Sequence, residues 1–239
     1  MGFMILLQGK IGEKIKIKME QEIQENIAEE IQETKVEEKK SFPEFKIFDK
    51  YDLSEIKVEE PGLRGAICLE PKLILKSQGR NVEKMGSLKV NVVERLINKI
   101  PVAGHRNKKH KIEIGTATGK YDKNTMIVLK AFEIIEERTK KNPVAVLIKA
   151  IEAAAPRDET TVIEYGGARY PQAIDVSPLR RVNLVLKNIC HGAGDKAFGK
   201  KKKLSQALAD EIIMASEENG ESFAFRKKNE AEKQADSAR

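Results

Sequence analysis

Tryptophan is absent from this chain of 239 residues, and aromatic residues of all kinds make up only 5% of it. Any core must therefore be aliphatic, and no pattern places stacking rings on a sheet, which argues against base-by-base reading of single strands. There are two cysteines, Cys68 and Cys190, too far apart in sequence to form a CxxC pair, so two reduced thiols are expected rather than a disulfide framework. The three histidines, His105, His110 and His191, combine with Cys190 in no zinc-finger spacing, so no metal site is expected. Long apolar runs are missing as well. The opening MGFMILLQGK holds only the five apolar residues Phe3 to Leu7, too short for a signal peptide or a membrane span, so a soluble cytoplasmic protein is expected. No GxSxG or comparable nucleophile setting occurs, and nothing asks for catalysis or a cofactor.

Charge is what the chain has in abundance. Lys and Arg number 44 against 37 Asp and Glu, a formal net charge of +7. The distribution says more than the total. Residues 1 to 60 hold 10 Lys, no Arg and 15 acidic residues, a net −5, which leaves +12 for residues 61 to 239. A basic body with an acidic extension follows, and 40% hydrophobic content is enough for that body to bury a real core. Within the extension, Lys14 to Lys18 alternates Lys with Ile, and Ile23, Ile27 and Ile31 recur every four residues. One isoleucine per turn makes a narrow stripe, consistent with a marginal, solvated helix.

The body reads as mainly α: a helical bundle of about six helices with one β-hairpin inserted between the third and fourth. A turn-rich stretch from Pro61 to Gly86 contains Leu73-Ile74-Leu75. A first helix is predicted from Ser87 to Ile100, with Leu88, Val92, Val93, Leu96 and Ile97 on one face, ending before Pro101. A loop-like insertion spans Val102 to Tyr121. The second helix runs from Lys123 to Lys140 with Val128, Phe132 and Ile135 on its stripe, and the third starts at Asn142-Pro143 and stops at Ala155, because Pro156 cannot continue it. The hairpin, Thr160 to Val176, turns at Gly166-Gly167, where double glycine permits positive φ and close backbone approach. Helices from Pro178 to Ala193, from Leu204 to Asn219 and after Glu221 follow, with Gly220 placed to end the fifth.

Two helix starts carry the wrong sign of charge. Ser177 suits an N-cap and Pro178 a first helical residue, yet Arg180 and Arg181 sit in the first turn, where the helix dipole disfavours cations unless an anion is close. Lys200, Lys201, Lys202 and Lys203 repeat the mismatch ahead of the next helix. Phosphate is the obvious external anion, since free N–H groups and cationic side chains converge there. By contrast, Lys140-Lys141 reads as a solvated face. Gly115 to Tyr121 resembles a phosphate-binding loop but has three residues between its glycines where four are needed, and Tyr121 replaces the magnesium-holding Ser/Thr. Such a loop suits a turn equally well. Charge and composition leave three readings open: a binder of folded RNA, a nucleotide-binding or nucleic-acid-processing enzyme, and a helical DNA-binding protein.

The run Pro156 to Asn183, PRDETTVIEYGGARYPQAIDVSPLRRVN, strongly resembles the small-subunit ribosomal protein S-seven family, with DVSPLRRVN like its archaeal and eukaryotic branch. The resemblance extends collinearly through VVERLINKIPVAG at Val92 to Gly104, through Leu129 to Pro156, and through LADEIIMASEENGESFAFRKK, about two thirds of the chain. It implies a helical fold with one hairpin and a structural, non-enzymatic role. By resemblance, the chain binds the rRNA of the small-subunit head early, beside head and platform proteins, and near the exit-site tRNA and the path of leaving mRNA. Domain organisation then follows as an acidic extension over residues 1–60 and an rRNA-binding helical domain over 61–239. Carried over by position, the RNA surface includes Lys84 and Lys89, then Arg106, Lys108, Lys109 and Lys111 in the following loop. It continues through Arg157, the hairpin with Gly166, Gly167 and Arg169, and Arg180 and Arg181, with the lysines Lys200 to Lys203 added from the charge argument. The strand Val162-Ile163-Glu164-Tyr165 departs from the bacterial pattern, which tends to be basic there. The acidic extension and the Gly104 to Tyr121 insertion have no counterpart in the short bacterial form.

Overall fold

A computed structural model describes residues 46–54, 56–72, 75–77, 82–102 and 119–239, and the backbone of 105–106 and 109–110. The isoleucine stripe, Lys14 to Lys18, Lys108, Lys111 and most of the Gly115 to Tyr121 loop lie outside the described residues. Among the described residues there are seven α-helices: α1 (Pro61–Arg64), α2 (Val92–Lys99), α3 (Tyr121–Thr139), α4 (Pro143–Ala154), α5 (Pro178–Ala197), α6 (Leu204–Ser216) and α7 (Phe223–Ser237). Strands β1 (His105–Arg106) and β2 (Lys109–His110) pair briefly, so the insertion expected to be loop-like contains a two-residue ladder. Strands β3 (Asp158–Tyr165) and β4 (Ala168–Asp175) form the expected antiparallel hairpin. The hairpin sits between the fourth and fifth helices rather than the third and fourth, because the short α1 forms in the turn-rich segment, with Pro61 at its first position.

The core is aliphatic, as the scarcity of rings requires. α6 packs against α3, α4 and α5, and its Ala207, Leu208, Ala209, Ile212 and Ala215 are all buried. Alanines on α6 let the surrounding helices approach closely while Leu147, Ile151, Leu186 and Ile189 fill the space between them. Among the described residues Phe132 is the one ring in the set of fully buried large side chains, set edge-on to Tyr51 with centroids 5.9 Å apart. Ile47, Tyr51, Leu53 and Val58 are buried in the same core, so the helical unit takes in residues upstream of position 61 and spans Phe45–Arg239.

Several boundaries differ from the sequence expectation, each for a local reason. The first expected helix is interrupted: Gly86–Lys89 is a 3₁₀ turn, Val90 is extended, and α2 begins only after Asn91. Asn91 Oδ1 accepts from Val93 N at 2.9 Å, its Nδ2 donates to Glu70 O at 2.8 Å, and Val92 N donates to Cys68 O at 3.1 Å. This cap, with its links to the upstream segment, overrides the helical periodicity of Leu88. α5 continues past Ala193 to Ala197, and α6 stops at Ser216 rather than Asn219. Glu218, at φ 56°, takes the left-handed position after α6, so Gly220 does not terminate it.

Gly192 has a packing role inside α5. A Cβ there would lie 2.7 Å from Phe223 Cβ and 2.8 Å from Glu211 Cδ. Glu211 is completely buried, accepting from Lys196 Nζ at 2.6 Å, Ser222 Oγ at 2.8 Å and Ala224 N at 3.2 Å. One carboxylate thus ties α5 to α6 and to the start of α7, and it tolerates burial because its oxygens are occupied by donors. Replacing Gly192 by Ala should destabilise the protein by about 1–3 kcal/mol through overpacking, read as a lower midpoint in denaturant unfolding. Glu211→Ala, which strands the Lys196 ammonium, should cost more, about 3–5 kcal/mol.

Candidate nucleic-acid interface

The expected basic residues fall into separate patches. Around the base of the hairpin, the chain leaves α4 at Pro156, runs through Arg157 into β3, returns along β4 and enters α5 at Pro178. This brings Arg157, Arg180 and Arg181 together. At the far end of α5, Lys200 to Lys203 form the connection to α6. With a rise of about 1.5 Å per residue, α5 holds the two patches about 30 Å apart.

The dipole mismatch at the start of α5 is met from within the chain, which corrects the inference that an external anion is required there. Ser177 occupies the N-cap position but makes no side-chain capping bond. Instead, Arg180 forms a two-pronged pair with Glu159 on β3, Nε to Oε2 at 2.7 Å and Nη2 to Oε1 at 2.8 Å. The paired guanidinium lowers the Glu159 carboxyl against the opposing effect of partial burial. Arg181 is buried, at 7% exposure. Its Nε donates to Pro156 O at 3.0 Å, and its Nη2 to Ala155 O at 3.4 Å and to Glu60 Oε1 at 2.8 Å. Its charge is spent on the protein. The dipole argument could not have separated these two neighbours, because the difference lies in carboxylates 21 residues upstream of Arg180 on β3 and in the segment before α1.

The lysine cluster before α6 divides in the same way. Lys202 pairs with Asp210, which also receives Arg138. Lys200, Lys201 and Lys203 are exposed. Lys203 occupies the N-cap, where its own N–H donates to Gln206 Oε1 at 3.3 Å; an ammonium has no lone pair with which to cap N–H groups. Lys84 precedes the 3₁₀ turn and Lys89 ends it, both exposed, with Lys89 Nζ 3.0 Å from Glu83. Arg106 and Lys109 lie opposite each other on β1 and β2. Arg157 is exposed, and its backbone N–H donates to Glu232 Oε1 at 3.1 Å. On the hairpin, Gly166 and Gly167 have φ of 58° and 81° and make the expected turn, while exposed Arg169 lies 3.7 Å from Glu164.

Sequence reasoning passed over a further basic group. Arg226, Lys227 and Lys228 open α7, with Arg226 and Lys227 over the Phe223 ring at 5.6 and 5.8 Å and Lys228 over Phe225 at 5.7 Å. Lys228 Nζ also donates to Ala153 O at 2.8 Å, and Arg239, two residues past the end of α7, pairs with Asp158 at 2.5 Å, so α7 and the residues that follow it brace the end of α4 and the foot of β3. The signal was a third helix start with cations in its first turns, in the run FAFRKK. Arg95 was likewise unmarked. It is buried in α2, donating to Ala66 O at 2.7 Å and Asn183 Oδ1 at 3.2 Å, and burial pushes its pKa down.

Tyr121, the residue that broke the phosphate-loop pattern, is the first residue of α3, and its hydroxyl donates to Leu75 O at 2.5 Å. Burial pushes its pKa up to about 12. Cys190 is buried beside Ile100, Leu204 and Leu208, and burial likewise raises its thiol to about 12, far from a reactive thiolate. Among the described residues no cluster of three His, Cys, Asp or Glu side chains is placed to hold a metal, and no helix is long and apolar enough to cross a membrane.

Asp210 gives the lysine cluster before α6 a pH dependence. Burial alone would raise its carboxyl, but hydrogen bonds and charge from Lys202 and Arg138 outweigh that and hold it below the ordinary value of 3.8. A depressed folded-state pKa contributes stability that is fully present above the unfolded value and lost as pH falls through the folded one. The stability gap between the natural chain and Asp210→Asn should therefore be constant above about pH 5 and narrow below about pH 4, as measured by urea unfolding at a series of pH values.

Comparison with known proteins identifies the family of the chain. Residues 71–239 match the family model described as "Ribosomal protein S7p/S5e". The "Small ribosomal subunit protein uS7" of Nanoarchaeum equitans is 47% identical over 195 residues, covering 81% of this chain and 98% of its own. The protein of the same name from Methanosphaera stadtmanae is 47% identical with the same coverage. That of Archaeoglobus fulgidus is 45% identical over 197 residues, 82% of this chain and 96% of its own. The chain therefore belongs to the ribosomal protein S7p/S5e family, with archaeal relatives along most of its length.

Proposed function

We propose that this chain is a structural, non-enzymatic component of the small ribosomal subunit that binds the rRNA of the head directly and helps organise its folding. Family membership together with the placement of its exposed cations supports the reading. Its interface consists of Lys84 and Lys89, the β1–β2 insertion with Arg106, Lys108, Lys109 and Lys111, Arg157, the hairpin with Gly166, Gly167 and Arg169, Arg180, and Lys200 to Lys203. Arg181 serves it from inside, holding the hairpin base to α5. Head and platform proteins are neighbours, and the hairpin tip lies toward the exit-site tRNA and the path of leaving mRNA.

The mechanism is phosphate neutralisation at fixed positions, with specificity from RNA shape. Two cationic patches joined by a stiff helix match only RNA folds that present phosphates at that separation. Arg180 binds phosphate by sharing or leaving Glu159, a carboxylate that occupies the same kind of two-pronged position a phosphate would.

In competition binding, head rRNA should displace the chain from length-matched scrambled RNA and from duplex DNA. Equal affinity for all three would refute shape recognition. Arg180→Gln should weaken rRNA binding by about 3–10-fold and lower the salt slope by about 0.7–0.9, with the fold intact. Arg181→Gln should instead lower stability by about 3 kcal/mol, because it leaves Glu60 without its buried partner.

A further inference from the structure

The hairpin has two outer edges, and they are protected unequally. The two-residue turn Gly166-Gly167 makes Tyr165 and Ala168 the closing hydrogen-bonded pair, and pairs then alternate along an antiparallel ladder. Glu164↔Arg169 and Val162↔Pro171 are therefore non-hydrogen-bonded pairs. Pro171 requires the same assignment independently, since it has no N–H to give to β3. On β4, Pro171 removes an outward donor and interrupts that edge. On β3, Val162 and Glu164 point their N–H and C=O groups outward with nothing comparable to block them.

β3 reads Asp158-Glu159-Thr160-Thr161-Val162-Ile163-Glu164-Tyr165. It has no Pro and no Lys, and its middle is four β-branched residues in a row, the composition that most favours extended pairing. Val162, Ile163 and Tyr165 are 62%, 45% and 81% exposed. Among the described residues the sheet stops at two strands; α7 packs against the lower part of the hairpin, where Asp158 to Thr161 are half-buried, and the outer half of β3, Val162 to Tyr165, is exposed. Proteins ordinarily blunt such an edge with proline or lysine, as this chain does on the other side.

We propose that the outer edge of β3, from Val162 to Tyr165, is a strand-addition site for an extended segment of a neighbouring protein in the assembled subunit. An open ladder of alternating N–H and C=O groups matches the alternating donors and acceptors of an extended polypeptide, whereas phosphates offer acceptors alone. β3 carries three carboxylates and no cation, and Glu164, 60% exposed and 3.7 Å from Arg169, is the one that neither Arg239 nor Arg180 engages. The added segment accordingly carries Lys or Arg where it passes Glu164. This inference rests on the proposed place of the chain in the small subunit.

Amide hydrogen exchange at Val162 and Glu164, whose N–H groups point away from β4, tests it, comparing the full chain free, bound to head rRNA alone, and incorporated into reconstituted small subunits recovered by sedimentation. Exchange should be fast in the first two states and slowed at least about tenfold in the third. Val162→Pro removes an outward donor without touching the ladder to β4. It should still incorporate, yet leave the Glu164 amide as fast as in the free chain, and Glu164→Lys should also reduce the protection. Incorporation without protection, protection by rRNA alone, or protection that survives Val162→Pro would each overturn the strand-addition site while leaving the rRNA reading standing. Failure of the unmodified chain to incorporate would overturn the functional reading, and this inference with it.

Discussion

The geometry of the interface depends on Arg181. Its guanidinium takes the carbonyl oxygens of Ala155 and Pro156, the end of α4, while its charge is balanced by Glu60 from the segment leading into α1. Three stretches of chain, distant in sequence, meet on one side chain at the place where the hairpin leaves the bundle. Backbone carbonyls at a helix terminus that stops at proline would otherwise be buried without donors. Placing a cation in the first turn of α5 is unfavourable for that helix considered alone, and becomes favourable because the same cation completes the terminus of another.

The foot of the hairpin is held from both sides by the same logic. Arg180 grips Glu159 from α5, Arg239 grips Asp158 from just beyond α7, and Glu232 of α7 accepts the N–H of Arg157. α7 in turn is fixed by the buried Glu211, whose partners come from α5, the Ser222 cap and the first turn of α7 itself. Clamped at its base, the hairpin extends with its outer half exposed on both faces. Fixing the base converts a marginal two-stranded ribbon into a positioned surface.

Much of the fold was legible in the sequence because it rests on periodicity and local stereochemistry. Proline and asparagine at Asn142-Pro143, proline at Pro178, and Gly166-Gly167 set boundaries that the structure keeps. The failures share a cause: a residue's local signal was answered by a partner remote in sequence. Leu88 has helical spacing, but Asn91 caps the helix later through contacts to Glu70 and Cys68. Gly220 looks like a helix stop, but Glu218 adopts the left-handed position first. At the interface, the sign mismatch correctly marked Arg180 and Arg181 as residues needing anions or acceptors. Identifying those as Glu159, Glu60 and two carbonyls required the tertiary fold. Glu211 and Arg95 gave no signal, since a charged residue inside an apolar helix reads as exposed until its neighbours are known.

The central claim is that two cationic patches, held about 30 Å apart by α5, engage one folded RNA. Hydroxyl-radical footprinting of head rRNA tests this most directly, comparing the natural chain with a variant in which Lys200, Lys201 and Lys203 are changed to Gln and with another carrying Arg157→Gln and Arg180→Gln. Two protected backbone regions, each lost with its own set of substitutions while the other persists, is the predicted result. A footprint unchanged by either variant would contradict the account.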